Sequence, residues 1–371
     1  MSPYATTEFH ITSMGGFSGP EWFVSYWDGE EDHYLNIDLG TTGPYSLIMT
    51  DHMTGTKSCW IPMAGTVWVD TGWALEGDRG DDIIQGWAMS DWLKGSDVND
   101  SLTGLGGRDK LEGGLGKDTL YGGDDEDLLD GGNGDDRLNG GAGDDKLVGG
   151  LGNDGYHLDS QSNDTIEEAV NGGIDSVSVN MAEYTLRANL ENATAHASIN
   201  YTVRLTGNEL ANTLTGSLGA DNLKGGAAGE VLNGGGGKDW MYGGTGNDSL
   251  YGGDGNDTAH GGDGNDQICG DGGADLLYGA AGADRFVFAS ATESTVTSYD
   301  RVMDFVRGTD KIDLSLIDAD STPAGNQAFS FAGAKPFFAS AGDLYFKSAL
   351  IGSVVEGDVN GKSYARKLVT V

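Results

Sequence analysis

Large apolar residues recur at every ninth position from Gly77 onwards, with glycine and acidic residues between them. The pattern is unbroken over residues 77–157 and again over 207–287, nine units in each array. In each unit one apolar side chain stands between two mostly polar ones, the alternation of a three-residue strand with one inward face. Short strands separated by glycine-rich turns at a fixed period predict an all-β solenoid with a narrow apolar core.

The repeated unit reads Gly-Gly-x-Gly-x-Asp-x-U-x, where U is large and apolar. Position one is glycine in every unit, and position eight is large and apolar except at Ala259. Tight turns need backbone conformations with positive φ, which glycine adopts at least cost. No proline occurs between Pro62 and Pro323, as expected for a hydrogen-bonded ladder of strands.

The segments outside the arrays also carry strand patterns. Between the arrays, TIEE, SVSVN, YTL and YTVRL predict strands and ANLEN predicts a turn. Near the start of the chain, HYLNIDL and TVWVDTGW alternate in the same way. We therefore expect an all-β protein with β-rich segments before, between and after the arrays.

Composition adds a strong negative charge to this picture. The 371 residues include 64 glycines, and 58 acids against 21 bases leave a formal charge of −37. Nucleic acids and anionic membranes would be repelled, so the charge favours a cation as partner. No apolar run reaches the roughly 18 residues of a membrane-spanning helix. Two cysteines 210 positions apart form neither a disulfide framework nor a CxxC metal site.

Position six supplies the acids that would hold a cation. It is aspartate throughout the first array, whereas Asn212 and Glu230 interrupt it in the second. A carboxylate among turn carbonyls makes the all-oxygen cage that a hard cation such as Ca²⁺ prefers. The candidate ligands are Asp82, Asp109, Asp118, Asp127, Asp136, Asp145, Asp154, Asp221, Asp239, Asp248, Asp257, Asp266, Asp275 and Asp284.

These arrays resemble the calcium-binding nonapeptide repeats of RTX proteins. The resemblance implies a parallel β-roll with two units, or eighteen residues, in each coil. It also implies that each Ca²⁺ lies between turns n and n+2, held by both aspartates and by turn carbonyls.

Spacing and residue type then predict how many sites are well formed. Seven n/n+2 pairs in each array give fourteen. Met89 and Val98 replace turn glycines, and Asn212 and Glu230 replace aspartate, so pairs that use these units should be weak. Roughly nine good Ca²⁺ sites remain.

Residues 288–371 resemble the C-terminal flank of serralysin-type RTX proteins. The resemblance rests on GADRFVF (282–288), YDRVMDFVRGTDKIDLSLID (299–318), AFSFAG (328–333), AGDLYF (341–346) and GDVNG (357–361). It implies a cap on the roll and an uncleaved signal for the type I secretion machinery of a Gram-negative bacterium. The N-terminal MSPYATTEFHITS lacks the features of a secretory signal peptide, which fits that route. The family usually continues with further acids after GDVNG, whereas this sequence reads KSYARKLVTV.

Five segments follow from these patterns. They are a Trp-rich β cap or ligand-binding domain (1–76), the first β-roll (77–157), a β-rich connector without calcium (158–206), the second β-roll (207–287) and a C-terminal cap with the secretion signal (288–371). Two interpretations of the first segment stay open. Its tryptophans either form the core of a cap or present a carbohydrate-stacking platform; they are Trp22, Trp27, Trp60, Trp68 and Trp73.

The sequence carries no pattern typical of a hydrolase. It contains no HExxH and no GxSxG motif, so we predict that the protein is not an enzyme. We expect a secreted, extracellular or cell-surface protein that folds on Ca²⁺ and acts as a structural, adhesive or matrix-assembly protein. The alternative is a non-catalytic module of an enzyme, or a small enzyme, that acts on extracellular polysaccharide through residues 1–76.

Overall fold

The computed structural model describes residues 74–77, 80–86, 88–160, 163–196, 201–290, 293 and 298–317, together with the backbone of strands on either side. The chain divides into two compact units, Met1–Ser178 and Val179–Val371. No helix occurs in the described residues, so none there is long and apolar enough to cross a membrane.

All regular secondary structure in the described residues is β-strand. Strands that begin in the first unit are β1 (Phe9–Ser13), β2 (Glu21–Trp27), β3 (Asp32–Asp38), β4 (Ser46–Thr50), β5 (Ile61–Pro62), β6 (Thr66–Trp68), β7 (Ala74–Glu76), β8 (Ile83–Gln85), β9 (Trp92–Asp97), β10 (Ser101–Gly106), β11 (Lys110–Leu115), β12 (Thr119–Asp124), β13 (Leu128–Asn133), β14 (Arg137–Ala142), β15 (Lys146–Leu151), β16 (Gly155–Leu158), β17 (Thr165–Glu167) and β18 (Ser176–Val179). Strands of the second unit are β19 (Glu183–Thr185), β20 (Asn192–Ala195), β21 (Arg204–Thr206), β22 (Thr213–Thr215), β23 (Asn222–Gly226), β24 (Val231–Gly237), β25 (Trp240–Thr245), β26 (Ser249–Gly255), β27 (Thr258–Asp263), β28 (Gln267–Cys269), β29 (Gly272–Gly273), β30 (Leu276–Ala281), β31 (Arg285–Val287), β32 (Asp300–Val302), β33 (Lys311–Asp313), β34 (Ser330–Gly333), β35 (Asp343–Ser348), β36 (Ser353–Asp358) and β37 (Arg366–Thr370).

The first unit contains two ladders of parallel strands. One runs through β6, β8, β10, β12, β14 and β16, and the other through β7, β9, β11, β13, β15 and β17. Within the array, paired residues lie eighteen apart, as Leu102 and Leu120 do. Each coil therefore holds two nonapeptides, and the predicted parallel roll is confirmed. Before it, β1, β2 and β3 form an antiparallel meander that β3 joins to β6.

The second unit repeats this arrangement. Its ladders run through β20, β22, β24, β26, β28, β31 and β33, and through β19, β21, β23, β25, β27, β30 and β32. The parallel stacking continues past the last nonapeptide as far as Asp313. Beyond it, β37 pairs with β32, and β36 and β35 follow in antiparallel order.

Most array strands are longer than the three residues that the pattern predicts. β12 runs on through the first three positions of the next unit, because Gly123 pairs with Gly141 and Asp124 with Ala142. The turn is shortened accordingly, and the bend is made by residues with positive φ. Gly114 and Gly116 have φ of +114° and +131°. A side chain at either would collide with a backbone carbonyl of the coil below.

Units that have another residue in place of glycine at position two or four keep this bend at a cost in backbone strain. Ser96, Val98 and Leu105 stand at positions two or four and take φ of +93°, +67° and +83°. For the β-branched Val98 this conformation is a genuine outlier. Neighbouring coils therefore hold the turn in place where its sequence does not favour it.

Position eight forms the core, as the period predicts. Its side chains are at most 2% exposed in both arrays, and Ala259 is as buried as the leucines. Ile166, Val177 and Leu205 extend the buried rows into the segment between the arrays. That segment contains the predicted strands at TIEE, SVSVN and YTL and a turn at ANLEN, whereas in YTVRL the strand begins only at Arg204.

The tryptophan predictions fall outside the described side chains. Trp22, Trp27 and Trp68 lie in strands of which only the backbone is described, and Trp60 and Trp73 lie outside the described residues. Both interpretations of the tryptophans, the core of a cap and a carbohydrate-stacking platform, therefore stay open. In the second unit, Cys269 is buried with a free thiol.

Candidate metal sites

Two rows of buried acids run along each roll, one beside each of its two ladders of strands. Position six comes directly before a strand, where the turn ends and the chain enters the ladder. Every position-six side chain in the arrays is buried except that of Asp82, which is half-buried. Burial of so many acids needs compensation, because a carboxylate leaves water at a cost of several kcal/mol.

In most position-six acids, one carboxylate oxygen is held by the coil below. The Oδ1 atom accepts a hydrogen bond from the backbone N–H eighteen residues earlier, at 2.7–3.0 Å. In most coils the donor is the preceding position-six residue of the same ladder. The acceptors are Asp100, Asp109, Asp118, Asp127, Asp136, Asp145, Asp154, Asp221, Asp239, Asp248, Asp257, Asp266, Asp275 and Asp284.

The second oxygen is buried with no hydrogen-bond partner in the described part of the chain. Oxygens of this kind belong to Asp100, Asp109, Asp118, Asp127, Asp136, Asp145, Asp154, Glu230, Asp239, Asp248, Asp257, Asp266, Asp275 and Asp284. Natural proteins leave few buried polar atoms unsatisfied, so a whole row of them calls for a ligand.

The unpartnered oxygen faces a backbone carbonyl across a space that only glycine leaves open. An ideal Cβ on Gly113 would lie 2.4 Å from Asp118 Oδ2 and 2.6 Å from the carbonyl oxygen of Gly131. That point is no ion position, since it lies one bond from Cα, but it shows that both oxygens face the same space. The same arrangement recurs at Gly95, Gly122 and Gly234. We call this space between the carboxylate and the facing carbonyl the cradle. Position one is glycine because a side chain there would fill the cradle.

Burial makes these carboxylates keep their protons to a higher pH than usual when no cation is near. It raises the pKa of Asp100, Asp109, Asp136 and Asp257 to about 7 and that of Asp127 to about 8, against the lowering effect of the Oδ1 hydrogen bond. Repulsion between neighbouring carboxylates adds to the rise. Burial also raises the pKa of Asp118, Asp154 and Asp284. A bound cation would offset the same cost.

Three position-six residues in the second array depart from this geometry. Oδ2 of Asp221 accepts hydrogen bonds from the backbone N–H and the hydroxyl of Ser217, at 2.5 and 2.9 Å. The Asn212 amide donates to the carbonyls of Leu190 and Glu191. Glu230 keeps an unpartnered oxygen while its other oxygen accepts from Ala228 N–H at 3.0 Å. At the start of the second array, position-six side chains thus find some of their hydrogen-bond partners within the protein.

The acid row is longer than the nonapeptides. Backbone N–H groups of Asp145, Asp154, Asp275 and Asp284 donate, in this order, to Oδ1 of Asp164, Asp175, Asp300 and Asp310. Sequence reasoning missed these four acids because residues inserted before them break the period of nine. Each nevertheless stands two positions before an aliphatic residue, so the short pattern Asp-x-U would have found them. The candidate ligands do not include Asp100, because Val98 weakens its unit. Its Oδ1 nevertheless accepts a backbone hydrogen bond, and its buried Oδ2 has no partner in the described residues, as in the other aspartates.

The donor set fits a hard divalent cation. It consists of carboxylate oxygens and backbone carbonyls, which are calcium's preferred ligands, and it contains no sulfur or imidazole at position six. A Ca²⁺ ion would supply the positive charge and the oxygen coordination that the buried atoms lack. The aspartates and the facing glycine carbonyls would hold it.

Two known protein families match parts of the chain, and one of them is a calcium-binding repeat. Residues 74–102, 88–120 and 121–156 match the RTX calcium-binding nonapeptide repeat, and residues 222–347 match the Peptidase M10 serralysin C terminal. None of the curated proteins compared with the chain is similar enough to count as a match.

Proposed function

We propose that this chain, which carries RTX calcium-binding nonapeptide repeats and a serralysin-type C-terminal segment, is a secreted protein whose arrays fold on calcium outside the cell. One observation carries the proposal. A row of buried carboxylate oxygens without hydrogen-bond partners faces turn carbonyls in coil after coil. Calcium binding would therefore contribute directly to the free energy of folding.

Charge explains why folding would depend on the compartment. The arrays contain 31 acids and 10 bases, a net charge of −21. At low intracellular calcium this charge opposes compaction. About nine bound Ca²⁺ ions would cancel most of it.

Calorimetry of the full chain tests this proposal. A ligand that binds only the folded state stabilises it by about 2.7 kcal/mol per site at a hundred times its Kd. The melting temperature should therefore rise with Ca²⁺ concentration and rise far less with Mg²⁺, which dehydrates reluctantly and demands octahedral geometry. Equal melting with Ca²⁺, with Mg²⁺ and with chelator would refute the proposal.

Export by a type I machinery is supported by the serralysin-type match at residues 222–347. In a Gram-negative host that carries such an exporter, the full chain should reach the medium. A chain that lacks residues 288–371 should stay in the cells. Equal export of both would exclude a signal in this segment.

Outside the cell we propose a structural or adhesive role for the folded rolls. The sheets carry exposed aromatic side chains such as Tyr121, Trp240 and Tyr242, which can contact a partner surface or a second copy. Calcium-dependent sedimentation of the full chain would support assembly. Binding to a glycan array, with no change in sedimentation, would favour the polysaccharide alternative instead.

A further inference from the structure

Three acids meet at the end of the first array, where the nonapeptide pattern stops. Asp154 is the last position-six residue, and Glu168 and Asp175 lie in the following segment. Strand β17 pairs with β15 so that Val148 lies opposite Glu167. The next residue, Glu168, therefore lies opposite Gly149, in the place that the position-one glycine takes in earlier coils.

This replacement puts a third carboxylate into the cradle. In an earlier coil, an ideal Cβ on Gly122 would lie 2.3 Å from Asp127 Oδ2 and 2.5 Å from the carbonyl oxygen of Gly140. On Gly149 it would meet the Tyr156 hydroxyl first, and it would lie 2.4 Å from both Asp154 Oδ2 and Glu168 Oε1. The Glu168 carboxylate, with the Tyr156 hydroxyl bonded to it, thus takes the place of the turn carbonyl.

The surrounding contacts orient this cluster. Oxygens of Asp154, Glu168 and Asp175 all lie within 4.8 Å of one another. Oδ1 of Asp175 accepts the backbone N–H of Asp154 at 2.8 Å, and the hydroxyl of Tyr156 donates to Glu168 Oε1. These bonds hold two of the three carboxylates in place.

A separate observation points to a ligand. Asp154 is only 2% exposed, and its Oδ2, directed into the cluster, has no hydrogen-bond partner in the described residues. Asp175 is buried as well and Glu168 is half-buried, so a cation among the three carboxylates would offset both their mutual repulsion and their loss of water.

We propose that Asp154, Glu168 and Asp175 bind one further divalent cation, best suited to Ca²⁺, outside the nonapeptide consensus. The ion fastens the segment from Asn163 to Val177 to the end of the first roll. The inference rests on the proposed function only in taking Ca²⁺ as the ion, because two of its ligands lie outside the repeats. It revises the expectation that the segment between the arrays carries no calcium.

Native mass spectrometry of the full chain in Ca²⁺ counts the bound ions and tests the site. Glu168→Gln and Asp175→Asn should each bind one ion fewer than the wild type. Glu167→Gln is the matched control, since this neighbouring side chain is exposed and forms an ion pair with Lys146 at 2.6 Å. Unchanged counts in both site variants would overturn the inference. A wild type that binds no ions would instead overturn the proposed function.

Hydrogen exchange gives a second readout that does not depend on counting. In Ca²⁺, backbone amides of β17 and of Ser176 and Val177 should exchange faster in Glu168→Gln than in the control, while those of β11 should not change. Tyr156→Phe, which keeps all three carboxylates, should keep the ion. Equal exchange in Glu168→Gln and Glu167→Gln would also refute the site.

Discussion

Each aspartate of the buried row has two separate roles at its two oxygens. Oδ1 of Asp118 accepts the backbone N–H of Asp100 at 2.7 Å and so ties one coil to the next. Oδ2 faces the carbonyl of Gly131 and has no hydrogen-bond partner in the described residues. The first role suits aspartate or asparagine, whereas the second calls for a charge.

Asp118→Asn should therefore change stability in opposite directions with and without calcium. With chelator, the variant should be more stable, because the neutral amide can donate to a nearby carbonyl as that of Asn212 does. In Ca²⁺, it should bind one ion fewer and melt lower. Exposed Asp124→Asn is the control and should do neither. Melting followed in both conditions checks this, and a loss of stability with chelator would contradict it.

Gly113→Ala should weaken calcium binding by filling the cradle. Its Cβ would lie 2.4 Å from Asp118 Oδ2, closer than side-chain atoms come without a shift. Gly106→Ala is the matched control, since its Cβ would meet nothing nearer than 3.8 Å and its φ is not positive. A calcium titration should show a higher midpoint for the first variant only. Equal midpoints would mean that position one is glycine for another reason.

At the scale of single residues, the sequence predicts which residues form the acid row better than it predicts their contacts. The period located the row of aspartates, and their common spacing gave their common environment. It could not show that Ser217 satisfies Asp221 or that Glu168 enters the cradle at Gly149, because both depend on how side chains meet across coils. Asp175 was missed for a simpler reason, since insertions shift it out of the period.

At the scale of the single coil, one buried side chain per strand supplies the apolar core. A coil of eighteen residues contributes two such side chains, so each matters more than in a globular domain. The sequence predicted this core because period and burial follow from the same alternation. It underestimated strand length, because nothing in a run of glycines indicates that their backbone also pairs.

Leu120→Ala should destabilise the calcium-bound roll by about 2–5 kcal/mol, the usual cost of a buried leucine. Leu120 is 1% exposed in the middle of the first array. Leu115→Ala is the control, because Leu115 in the adjoining strand is 49% exposed. Denaturant unfolding in Ca²⁺ measures both. A cost for Leu120→Ala as small as that of the control would argue against a stacked core.

At the scale of the whole molecule, the negative charge and the high glycine content both come from the same repeated turn. The glycines allow turns in which carbonyls and carboxylates meet, and the carboxylates give the chain its charge of −37. Under the proposed function, much of that charge consists of calcium ligands. The family resemblance drawn from the repeats and from the C-terminal segment is confirmed by both matches. The role of residues 1–76 could not be derived, since tryptophans serve equally in a core or on a binding surface.

The chelated chain should become less stable as the pH rises. Burial raises folded-state pKa values to between about 6 and about 8 for aspartates such as Asp127, Asp136 and Asp145. Stability from these groups is fully present below about pH 4, the unfolded pKa, and is lost as the pH rises through 6 to 8. Without calcium, the rolls should therefore resist unfolding better in mild acid than at neutral pH.

Saturating Ca²⁺ should reverse this dependence, because protons then compete with the ion for the same carboxylates. Urea unfolding at several pH values, with chelator and with Ca²⁺, measures both slopes. Asp127→Asn should flatten the chelator slope between about pH 4, the unfolded pKa, and about pH 8, the folded pKa. A chelated protein that gains stability with pH would contradict the structure of the row.

Far-UV circular dichroism of the full chain during a Ca²⁺ titration tests the central claim most directly. The chelated chain at neutral pH should give a partly disordered spectrum of reduced β intensity, since a row of buried charges opposes folding. Ca²⁺ should convert it cooperatively to a β spectrum, and chelator should reverse the change. A β spectrum of full intensity that neither chelator nor Ca²⁺ alters would contradict the claim that calcium ligation holds the rolls together.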